Sequence, residues 1–165
     1  LPLSAVLVNA EIYRAFLGTY ADRRTFYHGH TFTGSALGCA AALAALDILA
    51  DEEFLRQLRE NTIPALWRML EPLRAHAHVG NIRGRGLMAA LEIVKTRGAP
   101  DEPYPGEQRL GHRVVLAARK RGVNMRAIGD LILAVPPLTI TQSEIDLFGR
   151  VLRESLDEAT GISPF

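Results

Sequence analysis

The residues best suited to chemistry form the segment HGHTFTGS at positions 28–35, which runs directly into small and apolar residues at 36–46. The first backbone N–H groups of a helix have no intrahelical partner, and the aligned peptide dipoles make that end of the helix partly positive. A phosphate group bound there receives several hydrogen bonds at once. The segment therefore predicts an anion-binding site at the start of a helix.

The side chains of this segment suit the same chemistry. Thr31, Thr33 and Ser35 carry hydroxyl donors, while Gly29 and Gly34 let the backbone approach a ligand without a Cβ atom in the way. A plainer alternative is that Thr33 or Ser35 simply caps the N-terminus of a buried helix. Residue chemistry alone slightly favours the capping interpretation.

A second candidate is Arg126, in the segment VNMRAIGDLILAVPPL at positions 123–138. Two short apolar strands are predicted to flank a turn here, and Arg126 leads into that turn. A guanidinium group can hold a substrate carboxylate through two parallel charge-assisted hydrogen bonds. The alternative is an ion pair between Arg126 and Asp130 across the turn, which the residues by themselves favour.

Other motifs receive structural interpretations. His28 and His30 have no third ligand near them in the sequence, so no metal site is expected. The glycines of Gly84-Arg85-Gly86 precede a strand instead of opening a helix, which excludes a dinucleotide fingerprint. The cluster Arg119-Lys120-Arg121 is interpreted as a solvated helix end, and Trp67 as a packing residue.

Composition indicates a soluble globular protein. The 165 residues are 48% hydrophobic and carry a formal net charge of +1, so nothing points to a nucleic-acid partner. Cys39 is the single cysteine and cannot form an internal disulfide, which fits a reducing cytoplasm. The apolar run 36–50 is shorter than the roughly 20 residues that span a bilayer. It is therefore expected to be a buried helix and not a membrane span.

The order of elements suggests two parts. Residues 1–9 are predicted to form a short buried strand, and residues 10–17 a turn or two of helix. A lone strand suggests a piece of a larger sheet. Residues 51–165 are predicted to form a compact α+β domain with a sheet covered on one side. Its expected elements are a helix from Asp51 kinked at Pro64, a strand after the glycines near 84, a loop at 99–106, a helix at 107–121 ended by Gly122, two short strands around Asp130, and a last helix opened by the capping box Thr141–Glu144.

The sequence resembles the class III, pyridoxal-phosphate-dependent aminotransferases. The resemblance rests on HGHTFTGSALGCAAA at 28–42, on RGRGLM at 83–88 and on the RxxGD…PPL pattern at 126–138. It implies an α/β fold, the fold type I of pyridoxal-phosphate-dependent transferases, present in part. Residues 1–50 would be the C-terminal end of the large cofactor-binding domain, and residues 51–165 the small α+β C-terminal domain.

The same resemblance implies roles for individual residues. His30 and Thr31 would bind pyridoxal 5'-phosphate, and Gly29 and Arg126 would bind substrate. The loop would serve the cofactor of the neighbouring subunit, which implies a homodimer. The segment HGHTFTG at 28–34 is similar to the corresponding segment in the branch of the family that aminates 8-amino-7-oxononanoate with S-adenosylmethionine as donor in biotin synthesis. Ser35-Ala36 departs from the Asn-Pro that many members carry.

Lys95 and Lys120 are the only lysines, and neither matches the lysine that holds the cofactor in the family. The resemblance places that lysine a few residues before Leu1, so the 165 residues are expected to be a C-terminal portion that does not transaminate alone. Two alternatives stay open: another class III aminotransferase acting on an ω-amino acid or diamine, and a non-catalytic dimerisation or phosphate-binding module.

Overall fold

The computed structural model describes residues 1–161. The chain divides into two compact units, an N-terminal unit, Leu1–Phe54, and a C-terminal unit, Leu55–Phe165. The division falls inside a helical region, between the first and second turns after Asp51.

The N-terminal unit contains two complete α-helices and, between them, a single 3₁₀ turn, Tyr20–Asp22, which Thr19 and Asp22 cap. Helix α1 is Ala10–Ala15, and the Asn9 side-chain oxygen caps it by accepting the Ile12 N–H at 2.9 Å. Helix α2 is Ala36–Leu49. The helices expected after residue 9 and after the HGHTFTGS segment are therefore confirmed.

The strand predicted for residues 1–9 is wrong. The structure has no strand there, and all nine residues are exposed. A strand needs a neighbour to take its N–H and C=O groups. Within the N-terminal unit every regular element is helical, so the alternation of apolar residues has no sheet to join.

The expectation that α2 is buried is also wrong. Gly38 is the only residue of α2 that the described chain buries, while Leu37 is 74% and Leu43 64% exposed. Apart from Asp47, the residues of this helix are small or apolar, and the N-terminal unit offers no second layer to cover them. No helix within residues 1–161 combines the length and apolarity that crossing a bilayer requires.

The helical region after Asp51 has the predicted start and interruption. The Asp51 carboxylate accepts the Glu53 N–H at 2.9 Å, just before helix α3, Glu52–Gln57. A π-helical turn, Leu58–Thr62, then leads into helix α4, Ile63–Leu70. Pro64 is the second residue of α4, immediately after Ile63, and its ring cannot supply the N–H that a continuous α-helix needs.

The C-terminal unit is built on one four-stranded antiparallel sheet in the order β1-β2-β4-β3. The glycine-rich segment forms a hairpin turn at Gly86-Leu87, and the residues before it are themselves a strand, which extends the prediction. The strands are β1 Val79–Arg85, β2 Met88–Ile93, β3 Arg126–Ile128 and β4 Leu131–Ala134.

Three helices cover one face of this sheet: α4, α5 (Leu110–Lys120) and α6 (Gln142–Thr160). Alternate strand residues point into the shared core, while Met88 and Glu92 between them are exposed. This confirms the predicted α+β arrangement with a sheet covered on one side. The fully buried core residues include Leu66, Leu70, Leu91, Ile93, Leu110, Val114, Ile132, Val151, Leu152 and Leu156.

Helix ends follow the predicted signals, with one shift. Thr141 and Glu144 form the capping box of α6, and Gly122 takes a left-handed φ of 83° after α5. Helix α5 begins at Leu110 and not at Glu107. The chain first makes a single 3₁₀ turn, and Arg109 then adopts a φ of 48°, which no α-helix can contain.

Candidate functional site

The loop before α2 closes on itself through short hydrogen bonds. The Thr33 N–H donates to the His30 carbonyl at 2.9 Å, and the Ser35 N–H donates to the Phe32 carbonyl at 3.1 Å. The Thr33 hydroxyl oxygen accepts the His30 N–H at 3.1 Å. Thr33 therefore holds the loop in shape, and its oxygen is already engaged.

The start of α2 presents backbone donors. Ser35 occupies the N-cap position, but its side chain makes no hydrogen bond to the helix. Since Thr33 bonds to His30 instead, the interpretation that either hydroxyl caps α2 is wrong. The Cys39 N–H donates to the Ser35 carbonyl at 2.9 Å and is the first helical hydrogen bond, so the N–H groups of residues 36–38 remain for another acceptor.

The remaining loop residues lie open to solvent. Thr31 is exposed, and its hydroxyl has no hydrogen-bond partner within residues 1–161. Nothing lies within 4 Å of the position that a Cβ atom on Gly29 would take. The His30 ring meets the His28 ring edge-on, with centroids 5.1 Å apart. A free hydroxyl and free helix N–H groups are both donors that an oxyanion can accept.

Arg126 is the first residue of β3 and pairs with Leu133 across the β3–β4 hairpin. Its side chain is exposed and has neither a hydrogen bond nor an ion pair in the described part of the chain. The ion pair with Asp130 that the residues alone favoured is absent there. The guanidinium group is consequently available to a ligand.

Asp130 has a structural role in place of an ion pair with Arg126, and the sequence did not reveal it. Its carboxylate accepts the Gly111 N–H at 2.9 Å, at the first turn of α5. A Cβ atom on Gly111 would overlap the carbonyl oxygen of Gly129, which shows how closely α5 approaches the hairpin turn. Gly129 has a φ of 57°, a conformation that glycine adopts without strain. Gly111 and Asp130 therefore fix the turn that carries Arg126.

Arg126 borders two pockets of the C-terminal unit. The first, called here the apolar pocket, has a volume of about 670 Å³. Its lining is mostly hydrophobic: Val123, Met125, Leu133, Val135, Pro136, Pro137, Ile140, Leu147 and Phe148. A guanidinium group at the edge of such a lining suits a ligand with a carboxylate and an apolar chain.

Glu144 is the acidic residue of the apolar pocket. Its carboxylate accepts the Thr141 N–H at 2.7 Å and the Thr141 hydroxyl at 2.8 Å. The backbone hydrogen bond, followed by the hydroxyl bond, lowers the pKa of Glu144 below its ordinary value. The capping role thus keeps this carboxylate ionised at the helix start.

The two lysines and the basic helix end form ion pairs. Lys95 lies 2.6 Å from Glu102. Arg121 contacts Glu154 at 3.1 Å and Glu158 at 2.7 Å, both on α6. Arg119 and Lys120 are exposed, as the interpretation of a solvated helix end predicts, but Lys120 and Arg121 also join α5 to α6, which that interpretation did not include.

A family profile for the class III aminotransferases matches residues 1–156, and the chain belongs to that family. It is 48% identical over 97% of its length to the adenosylmethionine-8-amino-7-oxononanoate aminotransferase of Nitratidesulfovibrio vulgaris, and this match covers 29% of that protein. The chain spans about a third of the length of the curated relatives it matches, for example 35% of the relative from Geobacter sulfurreducens.

Solved structures agree with this assignment. The adenosylmethionine-8-amino-7-oxononanoate aminotransferase of Methanocaldococcus jannaschii superposes with a TM-score of 0.83 at 40% identity, over 90% of this chain and 33% of that one. An (S)-enantioselective ω-transaminase from Thermomicrobium roseum gives a TM-score of 0.78 at 34% identity, over 92% of this chain and 33% of that one. The partial α/β fold inferred from the sequence is therefore confirmed.

Proposed function

We propose that this chain is the C-terminal part of an aminotransferase that converts 8-amino-7-oxononanoate into 7,8-diaminononanoate, with S-adenosylmethionine as amino donor, in biotin synthesis. The observation that carries the proposal is the 48% identity, over nearly the whole chain, to a relative with that name. Residues 1–50 would then end the large domain of the enzyme, and residues 51–165 would form its small domain. A cytoplasmic location fits such an enzyme and the single free cysteine.

Pyridoxal 5'-phosphate is the cofactor we assign to the complete enzyme. The loop before α2 fits its phosphate, because the Thr31 hydroxyl and the first N–H groups of α2 have no acceptor in the described residues. His30 and Thr31 would bind the cofactor, and Gly29 would let substrate approach the backbone. When bound, the cofactor acts as an electron sink for the amino group that is transferred.

Arg126 would bind the carboxylate of 8-amino-7-oxononanoate. This substrate has a carboxylate at the end of a run of methylene groups, and Arg126 lies at the edge of the apolar pocket. The guanidinium group would orient the carboxylate through two parallel hydrogen bonds, while the pocket lining excludes water from the chain. Gly111 and Asp130 would position Arg126 by fixing the hairpin turn.

A homodimer is part of the proposal. Large apolar residues of the N-terminal unit are exposed, among them Leu43, Leu46 and Phe32 at 64%, 59% and 82%. Exposed apolar surface of this kind is typical of regions that a partner covers. The loop before α2 would then serve the cofactor of the neighbouring subunit.

A second candidate is an aminotransferase for an ω-amino acid or a diamine. The similarity to the ω-transaminase of Thermomicrobium roseum favours it, at 34% identity. The higher identity to the biotin-pathway relatives supports the first proposal instead. A non-catalytic dimerisation or phosphate-binding module is the third candidate.

A chimera separates these functions. Residues 1–165 replace the matching segment of the Methanocaldococcus jannaschii relative, and the purified protein is assayed with 8-amino-7-oxononanoate and each class of donor. We expect 7,8-diaminononanoate with S-adenosylmethionine. Activity with diamine donors alone would favour the second candidate. A chimera that binds cofactor but aminates nothing would favour the non-catalytic module.

The role of Arg126 is tested in the same chimera. Arg126→Ala should raise KM for 8-amino-7-oxononanoate by about 10- to 100-fold, since charge-assisted hydrogen bonds contribute about 1.5–3 kcal/mol. Arg126→Lys should recover part of this loss, because a lysine keeps the charge but not the paired geometry. Arg113→Ala, an exposed arginine on α5, is the matched control. An unchanged KM in Arg126→Ala would contradict the assignment.

A further inference from the structure

The second pocket that Arg126 borders has the opposite character to the apolar pocket. This cationic pocket has a volume of about 430 Å³ and is lined by Arg109, His112, Arg119 and Arg126, with Asp130 as its acidic residue. The four basic residues lie within positions 109–126 but belong to the start of α5, to α5 itself and to β3. The fold brings them together because α5 packs against β3 and the hairpin turn.

Helix geometry explains part of this convergence. His112, Val115 and Arg119 follow one another at spacings of three and four residues, so they share one face of α5. All three line the pocket, Val115 as a buried residue and His112 and Arg119 as exposed ones. Arg126 comes from β3, on the other side of the pocket.

Arg109 adds a conformational observation. It has a φ of 48°, in the left-handed region that a non-glycine residue adopts rarely. Such conformations cluster at ligand-binding sites, where the surrounding structure enforces them. Here the strained residue lies directly before α5 and lines the pocket.

The three guanidinium groups of the pocket are not neutralised. Within residues 1–161, the side chains of Arg109, Arg119 and Arg126 have neither an ion pair nor a hydrogen bond. Some other arginines of the same unit do have acidic partners, for example Arg83, which contacts Glu92 at 3.1 Å, and Arg121, which contacts Glu158 at 2.7 Å. Three guanidinium groups without an acidic partner therefore line this one pocket.

Asp130 does not cancel this charge. One of its carboxylate oxygens accepts the Gly111 N–H at 2.9 Å, which ties it to the start of α5. Three fixed positive charges against one negative charge leave a net charge of about +2 before His112 is counted. A monocarboxylate needs only one guanidinium group, so the pocket has more donors than such a ligand can use.

We propose that the cationic pocket binds a compact multivalent oxyanion, a phosphate compound or a polycarboxylate, through Arg109, Arg119 and Arg126. This site goes beyond the proposed function, which assigns only Arg126, and only to one carboxylate. The anion and the carboxylate substrate would compete for Arg126, so the pocket also gives the complete protein a means of inhibition by multivalent anions.

Isothermal titration calorimetry on the protein at its full encoded length tests the site, with pyrophosphate, citrate and acetate as probes in a phosphate-free buffer of low ionic strength. We expect saturable one-to-one binding of pyrophosphate, citrate or both, and at least about tenfold weaker binding of acetate. The stronger of the two multivalent probes identifies the ligand class. Equal affinity for acetate, or no saturation by either multivalent probe, would overturn the proposal.

Alanine variants test which arginines form the proposed anion site. Arg109→Ala and Arg119→Ala should each weaken binding of the stronger probe about tenfold, whereas Arg113→Ala, on the same helix but outside the pocket, should change it by less than about twofold. Equal losses in all three variants would indicate general surface charge and would overturn the site. Thermal unfolding confirms that each variant is folded. Because the readout is binding, its failure leaves the aminotransferase proposal unaffected, and an inactive chimera leaves this binding unaffected.

Discussion

The N-terminal and C-terminal units hold their candidate ligand groups in different ways. In the C-terminal unit, α5 and α6 and a four-stranded sheet share a dry core, and Arg126 stands on a hairpin that this core supports. In the N-terminal unit, Gly38 is the only buried residue, and the loop before α2 is held by its own hydrogen bonds. Core packing therefore fixes the hairpin that carries Arg126, whereas only local hydrogen bonds fix the loop before α2.

This contrast bears on how each candidate ligand group responds to a ligand. A group on a packed scaffold keeps its position when a ligand leaves, because moving it would disturb the core. A loop held by a few exposed hydrogen bonds opens at little cost in free energy. We therefore expect the loop before α2 to depend on its ligand and on covering surfaces for its order, and Arg126 to be ordered without either.

Matched leucine truncations give the largest expected difference between the units. Leu152 of α6 is fully buried, so Leu152→Ala should lower the free energy of unfolding by about 2–5 kcal/mol. Leu43 of α2 is 64% exposed, and Leu43→Ala should change the free energy of unfolding by less than about 0.5 kcal/mol. Urea denaturation followed by circular dichroism measures both.

Protein concentration sharpens this test. If the homodimer covers α2, Leu43→Ala becomes destabilising only at concentrations where the dimer forms. A loss at Leu43 that equals the loss at Leu152 at every concentration would contradict the contrast between the units.

Glycine substitutions give a smaller difference. A methyl group on Gly111 would overlap the Gly129 carbonyl oxygen, so Gly111→Ala should cost about 1–3 kcal/mol and should displace the Arg126 turn. Gly29→Ala, in the loop before α2, meets nothing within 4 Å and should leave the free energy of unfolding nearly unchanged. Gly106→Ala is a control inside the C-terminal unit, since its added Cβ atom is also free of contacts. Equal effects at positions 111 and 106 would refute the close approach of α5 to the hairpin.

The smallest effect concerns the capping carboxylates, one in each unit. Hydrogen bonds from Thr141 lower the pKa of Glu144 below its ordinary value of 4.5, and hydrogen bonds from Thr19 lower the pKa of Asp22 below 3.8. A carboxylate whose pKa is lower in the folded state stabilises the protein above its unfolded pKa, and this contribution disappears as the pH falls through the folded pKa. Glu144→Gln should therefore destabilise the C-terminal unit near neutral pH and should make its stability less dependent on pH below 4.5.

The fluorescence of Trp67, the single tryptophan, measures this change in the stability of the C-terminal unit. Trp67 packs against the core of the C-terminal unit and donates its indole N–H to the Gly86 carbonyl at 2.9 Å, so its fluorescence reports that unit. Asp22→Asn, in the N-terminal unit, should leave the tryptophan transition at every pH unchanged. A shift of equal size in both variants would mean that the two units unfold together.

Local signals in the sequence predicted the elements well. The capping box at Thr141, the glycine after α5 and the β3–β4 turn all appear where the pattern put them, because each depends on residues within a few positions. Burial was predicted less well in the N-terminal unit. Residues 1–9 and α2 have apolar patterns that are suited to burial. Such a pattern does not tell whether another element of the fold lies against the segment and buries it.

By itself, the sequence determined the family, the α+β arrangement of the C-terminal unit, and Arg126 and the HGHTFTGS loop as candidate ligand groups. Only the tertiary structure decided which groups are free. In the structure, Asp130 accepts the Gly111 N–H, and Arg121 forms ion pairs with Glu154 and Glu158 of α6. Three further arginines line one pocket: Arg109, Arg119 and Arg126. The physical reason is that a side chain's partner depends on distances across the fold, and helix packing sets these distances between residues that no local spacing relates.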